Sequence, residues 1–130
     1  MKLIVIILSI VGLVFCTQAA LKDDDSRVLA PEVFKAQLES HEGVLLDVRT
    51  PEEYKAGHLA DAENLDFFHE AFRENLEKLD KSKTYFIYCR SGKRSGKTAA
   101  MMAEAGFQNV FDMKGGFLGW QSAGLPVEKD

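Results

Sequence analysis

The run Thr84-Tyr85-Phe86-Ile87-Tyr88 constrains the fold more than any other part of this chain. It is β-branched or aromatic throughout and shows no polar alternation after Tyr85. A strand with one wet face alternates apolar and polar residues, whereas an unbroken run suits a strand covered on both faces. Such strands lie in parallel sheets between two layers of helices, and the flanking sequence supplies those layers. Apolar periodicity predicts helices over 31–39 and 93–105, a short helix from Pro51 through Lys55, and a last short helix within 115–123. A further helix is predicted over 67–79, with Phe68, Phe72, Leu76 and Leu79 on one stripe. Strands are predicted at 44–48, weakly at 62–66, and at 109–113. The alternation of strand and helix gives an α/β domain, and 130 residues allow one such core.

The amino terminus reads as a separate object. Leu3 to Cys16 carries no charge. The run matches a signal-peptide apolar region and is shorter than the roughly 20 residues of a bilayer span. Thr17-Gln18-Ala19 places small residues before a cleavage site after Ala19. Residues 1–19 therefore read as a secretory signal peptide, with a periplasmic or secreted product that leaves the membrane once cut. A retained anchor fits the same run. A lipoprotein signal ending at Cys16 fits less well, because Phe15 is too large directly before the cysteine. Residues 20–29, with their acidic Lys22-to-Ser26 stretch, read as a mobile lead-in, and 30–128 as the folded domain. Cleavage leaves Cys89 as the one thiol, which has no partner within the chain. The formal charge of −4 lacks the footprint of a nucleic-acid binder. No Cys-x-x-Cys pair or His spacing marks a metal site, so neither metal nor cofactor is expected.

The chemistry concentrates where the apolar strand ends, in Cys89-Arg90-Ser91-Gly92-Lys93-Arg94-Ser95. Sites of parallel α/β sheets lie at the carboxyl ends of strands. Gly92 permits a tight turn, and successive amides in such a turn can converge on one centre. The helix that follows adds its positive end. Arg90, Lys93 and Arg94 add three cations. All of these favour an anion at the Cys89 sulfur and predict a depressed thiol pKa and a nucleophile near neutral pH. The plain alternative is a buried structural cysteine beside an exposed basic loop.

This loop resembles the Cys-x-x-Gly-x-Arg-Ser loop of single-domain rhodaneses, a family of sulfurtransferases. Leu45-Leu46-Asp47-Val48-Arg49 and Glu53-Tyr54-Lys55-Ala56-Gly57-His58-Leu59-Ala60-Asp61-Ala62-Glu63-Asn64 resemble its upstream signature. Leu59 stands there for isoleucine and Asp61 for the usual glycine. Gly115-Gly116-Phe117-Leu118-Gly119-Trp120 and Gly124-Leu125-Pro126-Val127 resemble its closing signature. The resemblance implies a three-layer α/β sandwich around a mostly parallel five-stranded sheet. It also implies ping-pong chemistry through a Cys89 persulfide, with thiosulfate or another small anionic sulfur donor and cyanide, a small thiol or a protein as acceptor. Arg90 to Ser95 would then bind substrate through their amides, with Lys93 and Arg94 balancing the dianion. Arg94 turned inward to brace the loop is the alternative. A carrier module acting with a partner protein is the second reading. Cysteine phosphatases and arsenate reductases of the same fold rank lower: they hold one residue more between Cys and Arg than the four here, and Tyr88 rather than His precedes Cys89.

Supporting roles are expected for Asp47 and Arg49 as an ion pair bracing the loop, and for His58 as a structural histidine rather than a proton donor. His41 and His69 read as solvated, and Glu52-Glu53 as helix amino-terminal charge. Phe67, Phe68, Phe72 and Trp120 belong to the core by default, with the site mouth as the alternative for the phenylalanines.

Overall fold

A computed structural model describes residues 27–129. The 1–19 signal reading and residues 20–26 of the expected lead-in lie outside the described residues. None of the helices described is long and apolar enough to cross a membrane. The elements alternate: β1 (Val28–Leu29), α1 (Pro31–Ser40), β2 (Val44–Asp47), α2 (Pro51–Ala56), β3 (Glu63–Asn64), α3 (Phe72–Glu77), β4 (Thr84–Tyr88), α4 (Lys93–Glu104), β5 (Asn109–Met113) and α5 (Gly116–Ser122). One sheet runs in the order β1-β5-β4-β2-β3. Every pairing is parallel, where a mostly parallel sheet was expected.

Strand parity divides the core into two halves. Leu45, Phe86, Tyr88 and Met113 face Phe34 of α1 and Phe117 and Trp120 of α5. Leu46, Tyr85, Ile87, Cys89 and Val110 face Phe72 and Leu76 of α3 and Met102 of α4. Tyr85 through Cys89 are all at most 1% exposed, as an unbroken apolar run between two helical layers requires.

Three expectations shift. Val28–Leu29, placed in the lead-in by sequence, form an edge strand: Arg27 O accepts from Asp112 N–H and Leu29 O from Lys114 N–H, both at 2.8 Å. The weak strand at 62–66 shrinks to Glu63–Asn64. The helix expected over 67–79 forms only over Phe72–Glu77. Before it, Asp66 Oδ1 accepts the Phe68 amide at 2.9 Å and His69 Nδ1 the Ala71 amide at 3.0 Å. Such local side-chain bonds compete with helix, and they leave Phe68 67% exposed instead of on the core stripe.

Candidate active site

β4 delivers Cys89 to the carboxyl edge of the sheet, with its side chain among Leu46, Val48, Phe72 and Met102 and only 1% exposed. Gly92 then turns the chain at φ +106°, a left-handed conformation suited to glycine, and caps α4. That turn brings the Gly92 N–H to 3.0 Å from Cys89 Sγ. Ser95, fully buried one turn into α4, places its hydroxyl 3.4 Å from Sγ and 3.4 Å from Gly92 O.

The expectation that the amides from Arg90 to Ser95 converge on the sulfur is thereby corrected. Among the described residues, Sγ receives one amide and one hydroxyl. The amides of Arg90, Ser91, Lys93, Arg94 and Ser95 find no acceptor among these residues. Those of Lys93, Arg94 and Ser95 are the orphan donors of a helix's first turn. Those of Arg90 and Ser91 are aimed by α5. Phe117 N–H donates to Cys89 O at 2.8 Å and Leu118 N–H to Arg90 O at 3.0 Å. In a planar trans peptide the N–H opposes its carbonyl, so both amides point away from α5. Gly116 makes this clasp possible: a Cβ there would lie 2.6 Å from both Cys89 O and Arg90 O.

Of the loop cations, Arg94 is committed. Its guanidinium forks onto Glu53, with Nη1 to Oε1 at 2.7 Å and Nη2 to Oε2 at 3.0 Å, and its carbon lies 5.4 Å from the centre of the exposed Phe68 ring. This is the inward brace rather than a charge awaiting substrate. Glu53 also closes a capping box with Thr50 at the start of α2. The Arg94 hydrogen bonds hold its carboxyl at about 2, below the ordinary 4.5. Glu53 raises the Arg94 guanidinium in return. Arg90, Ser91 and Lys93 are exposed, and neither Arg90 nor Lys93 has an ion-pair partner among the described residues.

The depressed carboxyl sets a pH window. A lowered folded-state pKa stabilises the fold above the unfolded value and loses that contribution as pH falls through the folded one. Glu53→Gln is expected to melt below the wild type at neutral pH, by about 1–2 kcal/mol after allowing for solvent screening. The two should converge between pH 4.5 and about 2. Urea unfolding across that range checks it; parallel curves would mean the pair contributes nothing.

Under the loop lies a buried ion pair. Arg49 Nε and Nη2 meet Asp47 Oδ1 and Oδ2 at 2.9 and 2.7 Å, with Asp47 0% and Arg49 3% exposed. Tyr88 Oη donates to Asp47 Oδ2 at 2.7 Å and accepts the Leu59 amide at 3.1 Å. Arg49 also donates to Gly57 O at 2.6 Å and lies 4.1 Å over the Phe117 ring. Burial works against the Arg49 charge, but Asp47 outweighs it and the guanidinium is raised. Burial, then the Asp47 charge, raises the Tyr88 phenol, which stays a donor. The group joins β2, β4 and α5, the elements that aim the loop.

His58 is buried elsewhere in this frame: its ring stacks on Tyr54 with centroids 3.9 Å apart, and its backbone exchanges two 2.8 Å hydrogen bonds with Glu128. His41 and His69 are exposed, and Phe72 and Trp120 are core. Sequence reading missed Glu53 as the partner of Arg94, Tyr88 as a hydrogen-bond donor, and Asp112. Asp112 left a signal, because it shares the parity of Val110 and so carries a charge into a covered face of β5.

Comparison with known proteins agrees with this geometry. A family model described as the rhodanese-like domain matches residues 30–123. The chain is 34% identical over 91 residues to the thiosulfate sulfurtransferase GlpE of Actinobacillus pleuropneumoniae serotype 5b, covering 70% of this chain and 82% of that one. It is 33% identical over 103 residues to an uncharacterised protein of Synechocystis, covering 78% of this chain and 55% of that longer one. The crystal structure of a rhodanese-related protein from Thermoplasma volcanium superposes with a TM-score of 0.71 at 27% identity, covering 80% of this chain and 99% of that one. With five parallel strands between two helical layers and a cysteine loop clasped by a Gly-Gly turn, the chain belongs to the rhodanese-like domain family.

Proposed function

We propose that the protein is a sulfurtransferase that moves sulfane sulfur from thiosulfate to cyanide or a thiol through a persulfide on Cys89. The observation that carries this reading is the pair of donors at one sulfur, Gly92 N–H at 3.0 Å and the Ser95 hydroxyl at 3.4 Å, in a loop whose other amides find no acceptor among the described residues. Fixed donors aimed at developing negative charge stabilise it without reorganisation.

The Cys89 thiolate attacks the outer sulfur of thiosulfate. A new S–S bond forms, the old one breaks, and sulfite leaves with its electron pair. The persulfide keeps the outer sulfur until an acceptor nucleophile attacks it and the Cys89 thiolate departs. Arg90 and Lys93 attract the incoming dianion. Arg94 holds the loop through Glu53 instead of binding substrate. With four residues between Cys89 and Arg94 and that arginine already paired, the loop suits a sulfur atom better than a phosphoryl group.

One observation favours the carrier reading. Cys89 is 1% exposed, which suits a site opened by a docked partner. Steady-state turnover of thiosulfate with cyanide, with no partner present, separates the two. Multiple turnovers support the enzyme; one sulfur loaded per chain with no turnover supports the carrier. Export remains part of the proposal, supported by the Leu3–Cys16 run. Sequencing the exported protein is expected to start at Ala20 or Leu21, and a start at Met1 would remove it.

A further inference from the structure

Asp112 is a buried carboxyl that the chemistry above does not use. It lies on β5, 6% exposed, and its Oδ1 has no hydrogen-bond partner. Among the described residues no cation forms an ion pair with it. A buried carboxylate is ordinarily paired or fully hydrogen-bonded, because an unmatched charge out of water is costly. Burial pushes this carboxyl up to about 6, so at pH 7.5 it still carries its charge.

Asp112 lines a groove of about 560 Å³ between α4 and the β1–β5 edge, a volume in the range of small-molecule sites. The α4 wall of this groove is a stripe of Gly96, Ala99, Ala100 and Ala103, and Phe107 and Val110 add apolar lining. Gly96, Ala100 and Ala103 are exposed. A solvated helix face ordinarily carries charged side chains, as Lys93, Lys97 and Glu104 do elsewhere on α4. The stripe instead ends at Cβ or before it. No α4 side chain stands at Gly96 between helix and carboxyl, where a Cβ would lie 3.9 Å from Asp112 Oδ2. Arg27 lines the groove from the β1 side and is held by the Gln108 carbonyl at 2.8 Å.

We propose that this groove is a binding site for a small aliphatic primary amine, its ammonium on Asp112 and its hydrocarbon chain along the α4 stripe. The ammonium supplies the positive charge and the donors that the carboxylate lacks. The small side chains of α4 let the hydrocarbon lie close against the helix and leave water. The Arg27 guanidinium in the same groove repels a second cation, so a monoamine fits and a diamine does not.

The test follows the amide resonances of the full chain by heteronuclear NMR at pH 7.5 while n-pentylammonium chloride is added. Pentan-1-ol serves as the uncharged probe of similar length. Saturable shifts in α4 and β5 are expected, with a Kd of about 1 mM for so small a ligand. Pentan-1-ol and the diamine cadaverine are each expected to bind about tenfold more weakly. Asp112→Asn is expected to weaken pentylammonium about tenfold and to leave pentan-1-ol unchanged. Ala100→Leu fills the groove at an exposed position where leucine suits the helix, and is expected to weaken both probes. Shifts that do not saturate at these residues, pentan-1-ol binding equal to pentylammonium, or undiminished affinity in Asp112→Asn would overturn the proposal. Should the asparagine variant not fold, the ratio of the two probes and the Ala100→Leu loss decide it. Nα-acetyl-lysinamide presents the same ammonium from a peptide and is expected to bind more weakly; equal binding would overturn the small-molecule assignment in favour of a protein lysine. None of these readouts involves Cys89, so the result is independent of the sulfurtransferase reading.

Discussion

Cys89→Ser is expected to abolish thiosulfate turnover, lowering kcat by roughly three orders of magnitude or more while the fold survives. The replacement changes one buried atom. A serine oxygen keeps an acceptor for the Gly92 N–H, now at 3.0 Å from the sulfur, so the loop retains its shape. What disappears is the reacting group: a serine hydroxyl is hardly ionised near neutral pH and forms no persulfide. Turnover above a hundredth of the wild-type rate in a well-folded Cys89→Ser protein would place the chemistry elsewhere. Unfolding in urea with an unchanged midpoint shows that the loss is chemical.

Arg49→Met is expected to cost about 3–5 kcal/mol of stability, because it leaves the Asp47 carboxylate buried without its cation. Asp47 is 0% exposed and, among the described residues, keeps only the Tyr88 hydroxyl and the Arg49 backbone amide as donors. The methionine retains much of the side-chain volume above Phe117, so packing loss is small. The paired variant Asp47→Leu with Arg49→Met removes both charges and is expected to recover much of the loss. Urea midpoints for the two variants decide it. A single substitution that costs under about 1 kcal/mol, or a double that is worse than the single, would show that the pair is not the brace described.

Much of this was legible because the signals are local. The apolar run of β4 needed no partner to be recognised, and neither did the periodicity of α1 and α4. The cysteine loop is likewise contiguous, so Cys89, Gly92 and Ser95 could be named from their order alone. What escaped involves groups far apart in the chain or turn chemistry. Glu53 and Arg94, and Asp47 and Tyr88, are each 41 residues apart, and nothing at one position marks the other. β1 is two residues long and exists because β5 offers it hydrogen bonds, which no periodicity announces. Residues 67–71 carried an apolar stripe, but Asp66 and His69 spend their side chains on nearby amides, and the helix starts only at Phe72. The convergent amides were expected to meet at Sγ itself. Among the described residues, Gly92 alone sends an amide to Sγ, while the amides of Lys93 to Ser95 stay with the first turn of α4.

Intact-protein mass spectrometry after incubation with thiosulfate, free of reducing agent, tests the central claim most directly. One added sulfur, about 32 Da, is expected on Cys89, lost on treatment with cyanide and absent from Cys89→Ser. A chain that stays at its unmodified mass through a range of thiosulfate concentrations, or one that gains the same mass with serine at position 89, would contradict the account.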